Sequence, residues 1–289
     1  MADSEAVAIT PIDATQAEAA LPLSVEAGWN QTVEDWRFML KAGRGFGVAA
    51  PGGGWQASAL VLPVGERLSW ISMVLVTKTA RRHGLGTGLL RHCLEIARDG
   101  GGVAGLDATE QGRPIYLPLG FHDLYPIRRW HFDGNRATTV PGLAGITVNP
   151  LQAADLPAVM AYDRARSGMG RAATLAHLAA RRPTLAWVAR DASRQVVGFV
   201  MGRDGRTATS LGPIVAEDEL IALLLASRAA VLAGGPVITD VPQAHRGMTR
   251  WLTDAGATSP RGYVRMTLGE APGLEDPEFL FALAGPELG

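Results

Sequence analysis

The run Arg81-Arg82-His83-Gly84-Leu85-Gly86-Thr87-Gly88 concentrates residues that could hold an anion. Cationic or protonatable side chains come first, glycines follow at alternate positions, and an apolar helical pattern then begins. Glycine inside a helix costs roughly 1 kcal/mol relative to alanine, so glycines at a helix start need a compensating role. A helix N-terminus presents backbone N–H groups without intrahelical partners and the positive end of the helix dipole. Glycines let a phosphate approach that backbone closely. The pattern reads either as a phosphate site or as a tight strand-to-helix turn carrying exposed basic side chains. Two common nucleotide motifs fit poorly. A P-loop needs Gly-Lys-Ser/Thr after four intervening residues, and this loop has no such lysine. A dinucleotide fingerprint needs G-x-G-x-x-G, whereas the spacing here is G-x-G-x-G, with no acidic residue closing a following strand at the usual distance.

The elements that position this loop can be read from the same chain. VAITPI (7–12) reads as a strand, followed by a helical region to about Leu40, broken near Ala27 to Asn30. Thr32 with Asp35 three residues on forms a capping box for the helix VEDWRFML. GFGVAA and ASALVLPV pair as a hairpin around Pro51 to Gly54. SWISMVLV is a strand running directly into the glycine loop and its helix. VAGLDAT is a further strand, GRPIYLPLGF a short helix ending at Gly120, and DLYPIRRWHF a strand. Residues 133–145, rich in glycine and small polar residues, read as a linker. The order then repeats: strand GITVNP, helix LQAADLPAVMAYDRA, hairpin over 184–203, strand ATSLGPIV, helix AEDELIALLLASRAAVLA, strand PVITDVP, helix GMTRWLTDAG, strand RGYVRMTL. Laid over one another, the halves put Asp107 on Asp240, and Arg129 roughly on Arg265. The chain thus reads as an internal duplication.

Val76-Thr77-Lys78-Thr79-Ala80-Arg81-Arg82-His83-Gly84-Leu85-Gly86 resembles the signature of the GNAT superfamily of N-acetyltransferases, Arg/Gln-x-x-Gly-x-Gly/Ala at a helix start after a strand ending in valine. Tyr116-Leu117-Pro118-Leu119-Gly120-Phe121 resembles the family's Tyr-x-x-x-Gly-Phe segment. The resemblance covers about residues 6 to 133. Lys78 departs from it, standing where a proline is usual. The resemblance implies an α/β (α+β) chain of two tandem GNAT-like domains, 1–138 and 139–289, each a mixed, mostly antiparallel central sheet flanked by helices. It further implies acetyl-CoA as co-substrate, its pyrophosphate on Arg81, Arg82, His83, Gly84, Leu85, Gly86, Thr87 and Gly88. Its pantetheine arm would pair with the strand end Val74, Leu75 and Val76.

Acetyl transfer to an amine needs a way to remove the amine's proton, donors for the developing oxyanion and an acid for the departing thiolate. The resemblance assigns the donor to a backbone N–H near Leu75 or Val76 and the acid to Tyr116. A phenol of unperturbed pKa near 10 can donate a proton at neutral pH; the alternative for Tyr116 is a packed aromatic. Asp107 and Glu110 are both candidates for the base, and the amine could also bind already neutral. That Asp240 repeats Asp107 suggests a structural carboxylate instead. Trp29 and Asn30, in the break between the first two helices, either grip the acceptor or serve as a core tryptophan and a helix cap. His122 and His131 fit surface or strand-packing roles better than the pocket.

In the second half the loop position reads Gly212-Pro213-Ile214-Val215-Ala216-Glu217-Asp218-Glu219. Its carboxylates suit a helix N-terminus as capping charges and would repel a pyrophosphate by about 4 kcal/mol per charge pair at 4 Å and an effective dielectric of 20. This half is therefore expected to be degenerate, with Tyr162, Asp163, Arg164 and Arg166 as candidates for a wall of the acceptor pocket.

The net charge of −1 gives no general pull toward nucleic acid or anionic membrane. No apolar run approaches the roughly 18 residues of a membrane span, and no signal peptide is evident, so a cytoplasmic monomer or homodimer is expected. The single cysteine, Cys93, lies in an apolar helical pattern and reads as a core thiol, and no metal-ligand spacing is seen. The acceptor is expected to be a small-molecule primary amine. The rivals are another acyl-CoA or a hydroxyl acceptor, a protein amine, and a non-catalytic acyl-CoA sensor.

Overall fold

The computed structural model describes residues 8–99, 102–269 and 276–289; Val7, the first residue of the expected opening strand, lies outside them. Compactness divides the chain into Met1–Pro63 with Arg67–Ala104, and Val64–Glu66 with Gly105–Gly289.

The first unit contains β1 (Thr10–Ile12), α1 (Ala17–Glu26), α2 (Val33–Ala42), β2 (Arg44–Ala49), β3 (Trp55–Val64), β4 (Leu68–Val76) and α3 (Leu85–Asp99). Its sheet runs β1-β2-β3-β4, with β1 and β3 antiparallel to β2. The break between α1 and α2 has a local cause. Gly28 takes a left-handed φ of 68° past the end of α1. Thr32 then restarts the helix with the capping box read from the sequence, its hydroxyl accepting from Asp35 N–H and its own N–H donating to the Asp35 carboxylate. In α3 the buried residues are Leu85, Leu89, Leu90, Cys93, Leu94 and Ala97, one face of a helix at 3.6-residue spacing.

The second unit contains β5 (Val103–Thr109, from Gly105), α4 (Arg113–Tyr116), β6 (His122–Asp133), β7 (Thr147–Pro150), α5 (Leu156–Ser167), α6 (Ala172–Arg181), β8 (Trp187–Arg190), β9 (Val196–Arg203), β10 (Thr209–Ala216), α7 (Glu219–Ala233), β11 (Pro236–Pro242), α8 (Arg246–Asp254), β12 (Thr258–Leu268) and β13 (Leu280–Ala282). The order is β5-β12-β6-β11-β10-β9-β8-β7, with β13 added onto β10. Its core packs α7 and α8 residues such as Leu225, Ala226, Met248 and Leu252 against Val200, Ile214 and Val237 of the strands. The fold is thus mixed α/β with mostly antiparallel strands, as the resemblance implied.

The halves of the repeat are interleaved, which the sequence pattern did not suggest. β12, the last long strand of the second repeat, lies between β5 and β6 of the first; β6 in turn lies between β12 and β11. Both pairings of β6 are antiparallel, Ile127 facing Pro242 on one side and Tyr263 on the other. The expected linker is tied down as well: Ser227 Oγ accepts from Val140 N–H and the Trp251 indole donates to Thr138 O.

Candidate active site: the glycine turn and the Tyr116 turn

In the first unit, β4 delivers the chain into a short 3-10 turn, Lys78–Ala80, and then into α3. The turn is held from two sides. Glu26 at the end of α1 accepts from Lys78 N–H, and Gln56 O accepts from Thr77 N–H at 2.9 Å. The Arg81 guanidinium folds back so that Nε donates to Val76 O at 3.2 Å. Arg82 and Gly84 both have left-handed backbones, φ 67° and 76°. Alternation of this kind turns successive N–H groups toward one concavity. Gly84 O accepts from Gly88 N–H at 2.8 Å, closing the first turn, so the N–H groups of Leu85, Gly86 and Thr87 have no intrahelical acceptor.

The three glycines serve three different ends. Gly84 supplies the left-handed turn, and a Cβ there would meet nothing within 4 Å. Gly86 packs α3 onto β4, since a Cβ would lie 3.3 Å from Val76 Cγ2 and 4.0 Å from Val74 Cγ1. Gly88 faces open space. Free amides, an open backbone surface and exposed Arg81, Arg82 and His83 on the lip fit a pyrophosphate group. Val74 and Val76 are half-buried and Leu75 buried, as alternation along a strand requires.

Upstream in β4, Met73 has a φ of 52°, a conformation costly for a residue with a Cβ. Ser58 Oγ donates to the Met73 carbonyl at 2.8 Å, inside the core, and fixes this irregularity two residues before Leu75. Nothing in the sequence marks Met73 as irregular. Trp29 and Asn30 lie in the α1–α2 break; Trp29 N–H donates to Ser24 O at 2.9 Å and Asn30 is buried. Cys93 is fully buried, and burial pushes its thiol up to about 12, so it is a core residue as expected.

In the second unit, the turn after β5 carries the other candidates. Thr109 Oγ1 accepts from Gly112 N–H at 3.1 Å, and α4 starts there with Pro114 in its first turn. Tyr116 closes α4, and Gly120, at φ 96°, ends the following 3-10 turn, as the Gly120 stop predicted. The Tyr116 ring rests on Gly112, where a Cβ would stand 3.0 Å from Cε2 and 3.3 Å from the phenol oxygen. Phe121 flanks it at 5.8 Å between ring centroids. Burial raises the phenol above its usual pKa, which keeps it a proton donor at neutral pH. Gly112 therefore sets the phenol's place, a role the sequence did not signal.

The two candidate bases differ sharply. Asp107 is engaged through both oxygens by Arg265 of β12, Nε–Oδ1 and Nη2–Oδ2 each 2.8 Å, with side chains 0% and 1% exposed. A carboxylate so held has its lone pairs committed to a fixed cation and is a poor place for an incoming proton. The candidacy of Asp107 as a base is not supported by this geometry. Asp240 is held in the same way by Arg129 of β6, at 2.8 and 2.6 Å, also buried. Each pair joins a strand of one repeat to the last long strand of the other, and the repeat of Asp107 at Asp240 is structural. Glu110, by contrast, is exposed and lines a cavity of about 510 Å³ with Arg113, Arg128, Gln243 and Arg261.

The α5 residues expected as candidates for a pocket wall have partners of their own. Asp163 is fully buried against Arg171, Arg166 pairs with Glu217 at 2.8 Å, and the Tyr162 hydroxyl donates to Val197 O. These side chains are committed within the second unit; Arg164 has no such bond described. His122 shares a hydrogen bond with Thr267 Oγ1, and His131 has its pKa lowered by burial and by neighbouring Arg129 and Arg261. At the second helix start, Asp218 caps α7 at Ile221 N–H, Glu219 accepts from Gly247 and Met248 N–H at the head of α8, and Glu217 pairs with Arg166. All three carboxylates are structural caps or ion-pair partners. Among the described residues no helix is long and apolar enough to cross a membrane.

Comparison with known proteins finds matches to both repeats. A model described as "Acetyltransferase (GNAT) family" matches residues 17–121, and one described as "Acetyltransferase (GNAT) domain" matches residues 159–282. The chain is 27% identical over 237 residues to the uncharacterized N-acetyltransferase YitH of Bacillus subtilis (strain 168), covering 82% of each. Its fold is similar to that of a GCN5-related N-acetyltransferase from Sphaerobacter thermophilus, with a TM-score of 0.66, 19% identity, and 93% and 98% of the two chains covered. It is also similar to a tandem GNAT protein from the clavulanic acid biosynthesis pathway, with a TM-score of 0.62, 18% identity, and 91% and 99% covered. The chain belongs to the GNAT superfamily, carries two GNAT domains and is an acyltransferase.

Proposed function

We propose that the chain is an N-acetyltransferase in which the first repeat, 1–138, takes acetyl-CoA and passes its acetyl group to a primary amine of a small molecule by direct attack in a ternary complex. The observation that carries this is the turn at the head of α3: unpaired N–H groups at Leu85 to Thr87 beside open backbone at Gly84 and Gly88. Acetyl-CoA supplies the activated acyl thioester. Arg81, Arg82, His83 and the α3 amides hold its pyrophosphate, and the strand end Val74 to Val76 orients its arm and offers backbone N–H to the acyl oxygen. Tyr116 holds the proton that the leaving thiolate takes. Trp29 and Asn30 border the acceptor. Of the two carboxylates, Glu110 is the one free to accept the amine's proton, directly or through water, and Asp107 is a positioning residue. The second repeat, 139–289, has no cofactor loop and works as a structural partner. We further propose that the protein acts in the cytoplasm, as a monomer or homodimer, on neither nucleic acid nor membrane.

Calorimetric titration with acetyl-CoA tests the reading, with Gly86→Val alongside. One site per chain, lost in the variant, followed by amine-dependent thiol release, is the expected result. Two sites per chain would overturn the assignment of the second repeat, and no binding would overturn the enzyme site itself.

A further inference from the structure

The second repeat lacks more than a glycine loop. Strand β10 corresponds to β4 in the repeat, and β11 to β5. β10 and β11 run parallel and pair at Thr209–Val237 and Ser210–Ile238. Further along, the neighbour of β10 is β13, antiparallel, with Ile214 facing Ala282 and Val215 facing Leu280. β13 also reaches the other strand, since Leu283 N–H donates to Asp240 O at 2.9 Å. At the end of β10, Ala216 N–H donates to Phe279 O at 3.1 Å. A short strand thus enters where β10 and β11 part, and it bonds to both.

The seat is built for it. A Cβ on Gly212, whose φ is 147°, would stand 1.9 Å from Leu283 O, so only glycine admits this approach. Phe281, Ala282, Leu283, Ala284 and Leu288 are all at most 3% exposed. Basic side chains fix the backbone around them: Arg203 donates to Ala284 O at 2.7 Å, Arg171 to Gly289 O at 2.9 Å, and His245 bonds the carbonyls of Pro277 and Leu280.

We infer that segment Asp276–Gly289 occupies, in the second repeat, the cleft that the acyl-CoA arm takes in the first. The second repeat is a self-liganded domain whose cofactor cleft accepts an extended peptide of this chain. This rests on the reading that the end of β4 carries the acyl-CoA arm. It goes beyond the loss of the loop, because a second acyl-CoA would have to displace a buried, hydrogen-bonded strand.

Hydrogen exchange on the full chain, read by mass spectrometry, tests it in two arms. In the first, the amides of Ala282 and Leu283 exchange slowly, and saturating acetyl-CoA leaves that rate unchanged while slowing exchange at Leu85 to Thr87. Faster exchange of Ala282 and Leu283 on adding acetyl-CoA would show displacement and overturn the inference. The second arm needs no cofactor. Gly212→Ala should unseat the strand and raise exchange at Leu283 at least about tenfold, while the amides of α3 stay protected. Unchanged exchange at Leu283 in that variant would overturn the seat. A chain that bound no acetyl-CoA would fail the proposed function, and the second arm would still decide whether the strand is seated as described.

Discussion

Replacing Asp107 by alanine separates a structural carboxylate from a catalytic base. In the folded chain, Asp107 and Arg265 share two hydrogen bonds of 2.8 Å, and neither side chain is more than 1% exposed. Alanine leaves a buried guanidinium without its counter-charge. Removing one partner of a buried pair costs about 3–5 kcal/mol, most of it the desolvation of the charge left behind. At roughly 2–4 °C per kcal/mol for a chain of this size, the unfolding midpoint should fall by about 6–20 °C. Asp107→Leu with Arg265→Met removes both charges and should recover most of the loss. Asp240→Ala breaks the equivalent pair with Arg129 and should cost a similar amount, which makes it the internal control. Thermal melts give the midpoints. Steady-state kinetics well below each variant's transition gives kcat and KM from the folded fraction. A midpoint unchanged within about 2 °C together with a kcat reduced by about 10²-fold or more would refute the reasoning and return Asp107 to the role of base.

Further expectations follow from the same geometry. Tyr116→Phe should lower kcat about 10²-fold with little change in KM for acetyl-CoA. Because burial raises the phenol's pKa, the proton donor is lost only above its ordinary value, so wild-type kcat should show no fall from this group below about pH 10. Gly112→Ala brings a methyl to 3.0 Å from the Tyr116 ring and should cost part of the same activity, read as kcat at unchanged acetyl-CoA affinity. Glu110→Gln should reduce kcat at low pH more than at high pH, where the free amine needs no base, as a pH profile would reveal. Cys93 should react with a thiol reagent only after denaturation. Its stabilising effect as a neutral thiol is complete below pH 9 and falls away as pH rises toward 12, which alkaline melts of Cys93→Ala against wild type would detect.

The first repeat was legible because its signals are local. The Thr32–Asp35 box, the Gly120 stop, the apolar face of α3 and the glycine turn each act within a few residues, and each appears where the sequence put it. What escaped reading was non-local or unmarked. The partners of Asp107 and Asp240 lie on distant strands, and no spacing rule connects them. Helix α6 has no side-chain cap at Arg171 and no glycine at its end, so it carried no boundary signal. β13 is three residues long, and its identity as a strand comes from the edge it meets. Gly112 and Gly212 look like ordinary loop glycines until the tyrosine ring and the carbonyl against them are seen.

The interleaving of β12 and β6 sets a schedule for the chain as it is made. Asp107 and Arg265 are 158 residues apart, and β5 gains β12 as a neighbour only when that strand has left the ribosome. At 5–20 residues per second, that interval is about 8–30 s. Until then Asp107 lacks its cation, β6 lacks β12, and the Tyr116 turn lacks the Leu268 contact at Gly120. Tandem repeats ordinarily let the leading copy fold and work before the trailing copy exists. Here the β5 and Tyr116 part of the leading copy is finished by its successor, so that part of the proposed active site matures late.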